Sequence, residues 1–392
     1  MTAFAAVMTG KGTGAISTIQ VFGDTAEAVI KKIFKPARTK PTTLQPGKIL
    51  LGTITDGGET IDQVTIGCEG PDTFAVNCHG NPLIVEMIMQ LLRQQGVTLL
   101  TPDQLLTKIL SAQRHTSTIA LEARLTQPRA MTLQGTKIIA NQINGGLGKK
   151  VAEWLEDINT ISIDQIKSDA ERILDNSRKA KLIITGCKAA IVGPPNTGKS
   201  TLLNSLAGRR KAIVTDIKGT TRDWVSARCK IGPISIEFID TAGLDEEFAA
   251  APQGIVDKAS QQKSVEILEN ADLVLLVLDI SQTAEQLDDR LIEKIADRKV
   301  LTVLNKSDLP AKLDTGKLPK FLANTVQISA KFETGIENLT EKIRQLAGIA
   351  DFDLHTAVCF TDRQQSLLTQ LKNVESKHQA ASIITELLNG QV

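Results

Sequence analysis

Residues 193–200 of this chain carry the types and spacing that hold phosphate. The stretch reads Gly193-Pro-Pro-Asn196-Thr197-Gly198-Lys199-Ser200, entered from the apolar run Ala189–Val192 and left through Thr201, Leu202, Leu203 and Leu206 at helical spacing. A strand entering and a helix leaving a G-x-x-x-x-G-K-S loop is the setting in which such a loop binds nucleotide phosphates. Gly193 and Gly198 allow the backbone to turn its N–H groups inward, and the positive end of the following helix adds to the field. Lys199 is expected to reach the β- and γ-phosphates and to be catalytic, while the Ser200 hydroxyl ligates magnesium. A chance glycine-rich turn is the competing reading, and the flanking strand and helix argue against it.

Further motifs follow in a fixed order. Thr215-Asp-Ile217-Lys-Gly-Thr220-Thr221-Arg-Asp-Trp is a polar loop able to close over a γ-phosphate and magnesium. Ile236-Glu-Phe-Ile-Asp240-Thr-Ala-Gly243 reads as a strand ending in D-x-x-G, with Asp240 holding the metal through water and the Gly243 amide sensing the γ-phosphate. Leu273–Asp279 is a continuous apolar run closed by an acid, the pattern of a strand buried on both faces. Val300–Leu304 then delivers Asn305-Lys306-Ser-Asp308, whose carboxylate can accept from both the ring N–H and the exocyclic amine of guanine, a donor pair that adenine lacks. Ser329-Ala330-Lys331 supplies a last loop for the base. Each tetrapeptide alone is weak; their order predicts a domain that binds GTP and GDP and hydrolyses GTP. Leu244 stands where many small GTPases carry a water-orienting glutamine, leaving Asp245-Glu-Glu247 and Asp257 as candidates for that task or as solvated surface charges.

These loops need a scaffold. At 392 residues, 42% hydrophobic and 23% charged, the chain is expected to form two or three globular domains. The formal net charge of +1 means that any nucleic-acid contact must come from a local patch. Aromatics at 3%, with no tyrosine, argue against a base-stacking platform. Five cysteines without C-x-x-C spacing suit free thiols in a reducing cytosol, and Cys78-His79 reads as a strand-end thiol sooner than as a zinc ligand pair. With no signal peptide and no long apolar run, a cytoplasmic protein without membrane contact is expected. Residues 1–115 mix strands and helices around turns such as Gly10–Gly14, an α+β domain. Helical spacing runs from Leu133 to Ile158, interrupted at Gly145-Gly146, then from Ile163 to Leu174, and again from Leu367 to Leu388. The fold expected is an α/β P-loop GTPase domain, a doubly wound parallel sheet at 186–349, inserted into a helical domain made of 116–185 and 350–392.

The loop at 193–200, Thr215–Asp223 and Asp240-Thr-Ala-Gly243-Leu244 together resemble the Era-related bacterial GTPases, and the arrangement around them resembles the MnmE (TrmE) family of tRNA modification GTPases. That resemblance covers nearly the whole chain and is most specific over 189–243. It implies a folate-binding, dimerising N-terminal domain, a homodimer, a MnmG-like flavoprotein partner and tRNA as substrate. It also implies magnesium at Ser200 and Thr221, and potassium at Asn196 and Thr215 with Ile217 and Thr220. The family's catalytic glutamate aligns with Asp257. Departures are concentrated elsewhere. A basic residue of the family's first strand motif is Gln20 here, a Thr-Gly-Glu-Asp stretch before Cys78-His79-Gly80 is missing, and Pro-Gly-Glu-Phe-Thr reads Pro102-Asp-Gln-Leu-Leu. The family's terminal Cys-Ile-Gly-Lys is replaced by Leu388-Asn-Gly-Gln-Val392. The expectation is therefore GTPase activity with weak or absent 5-formyltetrahydrofolate binding. The alternative is a diverged GTPase switch that regulates another protein or RNA without modification chemistry.

Overall fold

Chain contacts divide the computed structural model into two units, Met1–Ser117 and Thr118–Gln391. The structure describes residues 2–10, 12–37, 44–112, 117–209, 226–240 and 266–390. The sequence-derived site residues Thr215, Ile217, Thr220, Thr221, Gly243 and Asp257, with the alternatives Asp245, Glu246 and Glu247, lie outside the described residues.

The first unit is built on a seven-stranded sheet among its described residues. Its strands are β1 (Ala3–Val7), β2 (Ile16–Gly23), β3 (Phe34–Pro36), β4 (Ile49–Asp56), β5 (Glu59–Cys68), β6 (Thr73–His79) and β7 (Thr98–Leu99), in spatial order β3-β4-β5-β6-β2-β1-β7. Alternation of apolar and polar residues in β2 and β5 gives the sheet one buried face. Helices α1 (Ala26–Ile33) and α2 (Pro82–Gln94) cover it, with Ile30, Ile88 and Leu92 packed among Ile19, Val76, Ile54 and Ile66. A third helix, α3 (Pro102–Ala112), opens with a reciprocal cap: Thr101 N donates to Gln104 Oε1 and Gln104 N to Thr101 Oγ1. Cys78 is buried, and burial, reinforced by the Asp62 charge, pushes its thiol up to about 11. Gly80 belongs to the same turn for a steric reason, since a Cβ there would lie 2.3 Å from the Gly14 carbonyl oxygen.

The second unit begins with helices α4 (Thr118–Thr126), α5 (Leu133–Asn144), α6 (Gly146–Glu156) and α7 (Ile163–Thr185). The glycine pair falls at the break between α5 and α6. Leu147, Trp154, Ile166 and Ile173 from this segment share one core with Leu367, Leu371 and Ile384 from α11 (Asp362–Lys372) and α12 (Lys377–Asn389), near the other end of the chain. Polar groups stitch the two segments. The buried Gln142 side chain accepts from Leu147 N and Val358 N and donates to the Thr356 carbonyl. Glu122, 2% exposed, takes both the Nε and Nη2 donors of Arg363, with Thr361 and Gln364 completing its shell.

Between those segments lies a six-stranded sheet in the order β13-β12-β11-β8-β10-β9, comprising β8 (Cys187–Val192), β9 (Ser226–Ile231), β10 (Ile234–Asp240), β11 (Leu273–Asp279), β12 (Val300–Asn305) and β13 (Thr325–Gln327). Every pairing is parallel except β9 with β10, so the expected parallel sheet carries an antiparallel edge. Both faces are covered. Ile191, Leu275 and Val277 face a core that includes α8 (Lys199–Arg209) and α10 (Ile336–Ala347), while Val192, Leu276 and Leu278 face Leu291 and Ile295 of α9 (Asp289–Ile295). This two-sided burial is what the unbroken apolar run in β11 dictates.

Candidate nucleotide site

The carboxyl ends of the parallel strands β8, β10, β11, β12 and β13 deliver the candidate residues to one edge of the sheet, the usual place for ligands in open α/β folds. After β8 the loop turns through Gly193 (φ 145°), where a Cβ would lie 2.1 Å from the Val277 carbonyl oxygen. Asn196, exposed at the loop tip, has φ 61°, and the loop closes through Gly198 at φ 92°. Thr197 is buried, with its hydroxyl donating to the Pro194 carbonyl at 2.9 Å. Lys199 is 6% exposed, and its ammonium donates to the carbonyls of Gly193 (2.8 Å) and Pro194 (2.9 Å), arched over the loop it belongs to. Those neutral acceptors are weaker partners for an ammonium than phosphate oxygens. Thr201 is exposed in the first turn of α8, the end whose N–H groups and dipole favour anions.

The Ser200 hydroxyl donates to Asp240 Oδ2 at 2.8 Å across the mouth of the loop. A hydroxyl and a carboxylate in contact are hard oxygen donors, the chemistry magnesium selects, so the residues present fit that ion. Of the magnesium and potassium residues read from the sequence, Ser200, Asn196 and the water-linked Asp240 are among the described residues.

Asn305 does more than the tetrapeptide reading suggests. It is 2% exposed; its Nδ2 donates to the Thr197 carbonyl at 2.8 Å, and its Oδ1 accepts from Ala330 N at 2.9 Å. One amide thus clamps the phosphate loop, the strand β12 and the Ser329–Lys331 loop together. Gly198 makes room for it, because a Cβ there would lie 2.4 Å from Asn305 Nδ2. Ser329, also buried, donates its hydroxyl to Asp308 Oδ1 at 2.5 Å and fixes the orientation of that exposed carboxylate. Ala330 is buried, and the exposed Lys331 ammonium sits 5.1 Å from the Phe332 ring centroid.

Asp279, outside the sequence motifs, supports the Asn305–Asp308 segment. Its Oδ2 lies 2.7 Å from the Lys306 ammonium, and its Oδ1 accepts from both the backbone N–H and the hydroxyl of Ser281. Burial alone would raise its carboxyl, but Lys306 and Ser281 outweigh burial and hold it below the usual carboxylate range. The signal was present as an acid closing a wholly apolar strand, in register with Asn305.

Comparison with known proteins agrees with this geometry. The family model described as 50S ribosome-binding GTPase matches residues 188–306, and that described as GTP-binding protein TrmE N-terminus matches residues 3–102. The protein named tRNA modification GTPase MnmE from Clostridioides difficile (strain 630) is 32% identical over 377 residues, covering 87% of this chain and 81% of its own length. The protein of that name from Thermoanaerobacter sp. (strain X514) is 30% identical, covering 95% of this chain and 88% of its own. Among solved structures, the G domain of the T. maritima FeoB iron transporter covers 41% of this chain and 98% of its own, at 28% identity and a TM-score of 0.32. With its amino-terminal and central segments matched and relatives aligned over most of their length, the chain is a GTP hydrolase with magnesium-dependent nucleotide binding, and it belongs to the MnmE (TrmE) family of tRNA modification GTPases.

Proposed function

We propose that this protein hydrolyses GTP as one subunit of the system that installs the 5-carboxymethylaminomethyl-type group on the wobble uridine of certain tRNAs, in the cytoplasm, as a homodimer working with a MnmG-like flavoprotein. The observation that carries the proposal is a guanine-nucleotide site and a TrmE-type N-terminal segment in one chain, aligned over 377 residues with a relative named for that role. The same relatives do not favour a diverged switch. No helix among the described residues is long and apolar enough to cross a membrane.

In this reading the backbone from Gly193 to Thr201 cradles the phosphates, and Lys199 exchanges its two carbonyl partners for β- and γ-phosphate oxygens. Ser200 and Thr221 hold magnesium, with Asp240 behind Ser200; the ion, when bound, neutralises charge between the terminal phosphates. Asn196, Thr215, Ile217 and Thr220 hold potassium, Gly243 senses the γ-phosphate, and Asp257 orients the attacking water. Asp308 reads guanine from the orientation Ser329 gives it, and Lys306 flanks the base pocket from the position Asp279 gives it. Binding of 5-formyltetrahydrofolate is weak or absent. In support, Gln20, which replaces the family's basic residue, donates to Glu69 Oε2 at 2.6 Å, so a carboxylate is held beside the position where positive charge is missing.

Mass spectrometry of wobble-uridine nucleosides in tRNA, from cells with and without the gene, tests the proposal. Loss of the modified nucleoside on deletion is the expected result; an unchanged profile, with no second copy to compensate, would overturn it.

A further inference from the structure

The end of the six-stranded sheet away from the nucleotide loops has its own character. A cleft of about 780 Å³ lies there, between the carboxyl-terminal turns of α7 and the starts of β8, β10, β11 and β12. Five cations, Arg178, Lys181, Lys188, Arg228 and Lys299, line it with two carboxylates, Glu237 and Asp272. Part of this charge is already committed: Arg178 pairs with Asp175, Arg228 lies 3.5 Å from Glu237, and Asp272 accepts from Lys188 N. The ammonium groups of Lys181, Lys188 and Lys299 make no ion pair among the described residues, and all three residues are exposed. In a chain whose formal net charge is +1, five cations against two carboxylates around one concavity are a local excess of positive charge.

The charge is also extended. A second cleft of about 500 Å³ runs along the α7–α11 side and shares Arg178, Lys181 and Thr185 with the first. Two open concavities joined along one helix face suit a chain of phosphates better than a single small anion. The first is lined by no aromatic side chain and the second by Phe360 alone, so recognition along them would be chiefly of backbone, not sequence.

We propose that this basic cleft, centred on Lys181, Lys188 and Lys299, is a docking surface for the phosphate backbone of tRNA. The inference rests on the tRNA role proposed above and adds where on the chain the RNA lies. The nucleotide loops follow the other ends of the same strands, so this surface can be altered without touching phosphate or base contacts: Lys188 is the second residue of the strand that ends before Gly193.

The test is fluorescence anisotropy of a labelled tRNA transcript titrated with the full chain at several salt concentrations. The variant Lys181→Glu/Lys188→Glu/Lys299→Glu should weaken binding at least about tenfold near 0.1 M salt and flatten the log–log salt slope by about two to three units. Lys→Arg at the same three positions should keep wild-type affinity, and Lys312→Glu/Lys317→Glu/Lys320→Glu, an equal change of net charge elsewhere, should weaken it far less. GTP binding by all variants should match wild type, which reports that they fold. An unchanged affinity and slope in the cleft variant, an equal loss in the distant one, or a wild-type chain that binds no tRNA would each overturn the docking surface. The first two outcomes leave the modification role standing, and the third leaves that role to be judged by the nucleoside profile.

Discussion

At the carboxyl end of the six-stranded sheet, Lys199, Lys306 and Asp308 are each held by a named partner: two loop carbonyls, Asp279 and Ser329. At the amino end, Lys181, Lys188 and Lys299 stand exposed around a cleft without an ion pair among the described residues. At the first end these charged groups are oriented by protein partners, which is what discrimination between bases and stabilisation of developing charge require. At the second end, charge without geometry suits a partner recognised by its field. The lesson is that one sheet offers a reading end and a docking end, and they should fail separately.

The largest effect is expected at the reading end. Lys199→Ala removes the ammonium proposed to meet the terminal phosphates and should lower GTP turnover at least about 10²–10³-fold, followed by phosphate release. Persisting turnover would detach Lys199 from the chemistry. Next is a change that spares both ends. Glu122→Ala takes the buried carboxylate away from the half-buried Arg363 guanidinium in the helical region and should cost about 3 kcal/mol in a urea unfolding curve. GTP affinity at low denaturant should stay near wild type, and a parallel loss there would mean that the helical frame and the nucleotide site are not separable.

A smaller effect is expected for Asp279→Asn, which keeps the shape but removes the charge facing Lys306. A hydrogen bond to a charged group is worth about 1.5–3 kcal/mol, so GTP affinity should fall about tenfold while affinity for tRNA is unchanged. The same pair gives a pH dependence. The folded carboxyl lies below its unfolded value near 3.9, so the stabilisation is present above about pH 4 and is lost as pH falls through the folded pKa. The stability gap between wild type and Asp279→Asn should be full at pH 7 and close below pH 4; a gap independent of pH would show that the charge is not its source. The smallest effect is expected from the cleft variant on GTP affinity, where a shift beyond about twofold would contradict the separation of the two ends.

Much of the reading end was legible because its motifs are local. Gly193, Gly198 and Asp308 sit in short loops, and Lys199 opens α8, with spacing set by a strand before and, at the phosphate loop, a helix after. The clamp role of Asn305 and the support from Asp279 were not legible, because they depend on strand register and on loops far apart in sequence. β9 was missed because an edge strand buries only one side, and its Ala227, Cys229 and Ile231 alternate with exposed or half-exposed polar residues in too short a stretch to stand out. The helix α3 was missed although its signal was present: Thr101 and Gln104 have capping-box spacing. The docking end could not be read from order at all, since its three lysines lie on a helix, a strand start and a loop.

The central claim, a site built to read guanine, is tested most directly by equilibrium titration of fluorescent GTP, ATP and xanthosine triphosphate against wild type and Asp308→Asn. Polar readout of this kind should favour GTP over ATP by roughly 10³-fold or more in the wild type. In Asp308→Asn the amide can donate to the 2-oxo group of xanthine, so preference should move from guanine to xanthine while phosphate contacts persist. Wild-type binding of ATP within tenfold of GTP, or an Asp308→Asn variant with undiminished guanine preference, would contradict the account.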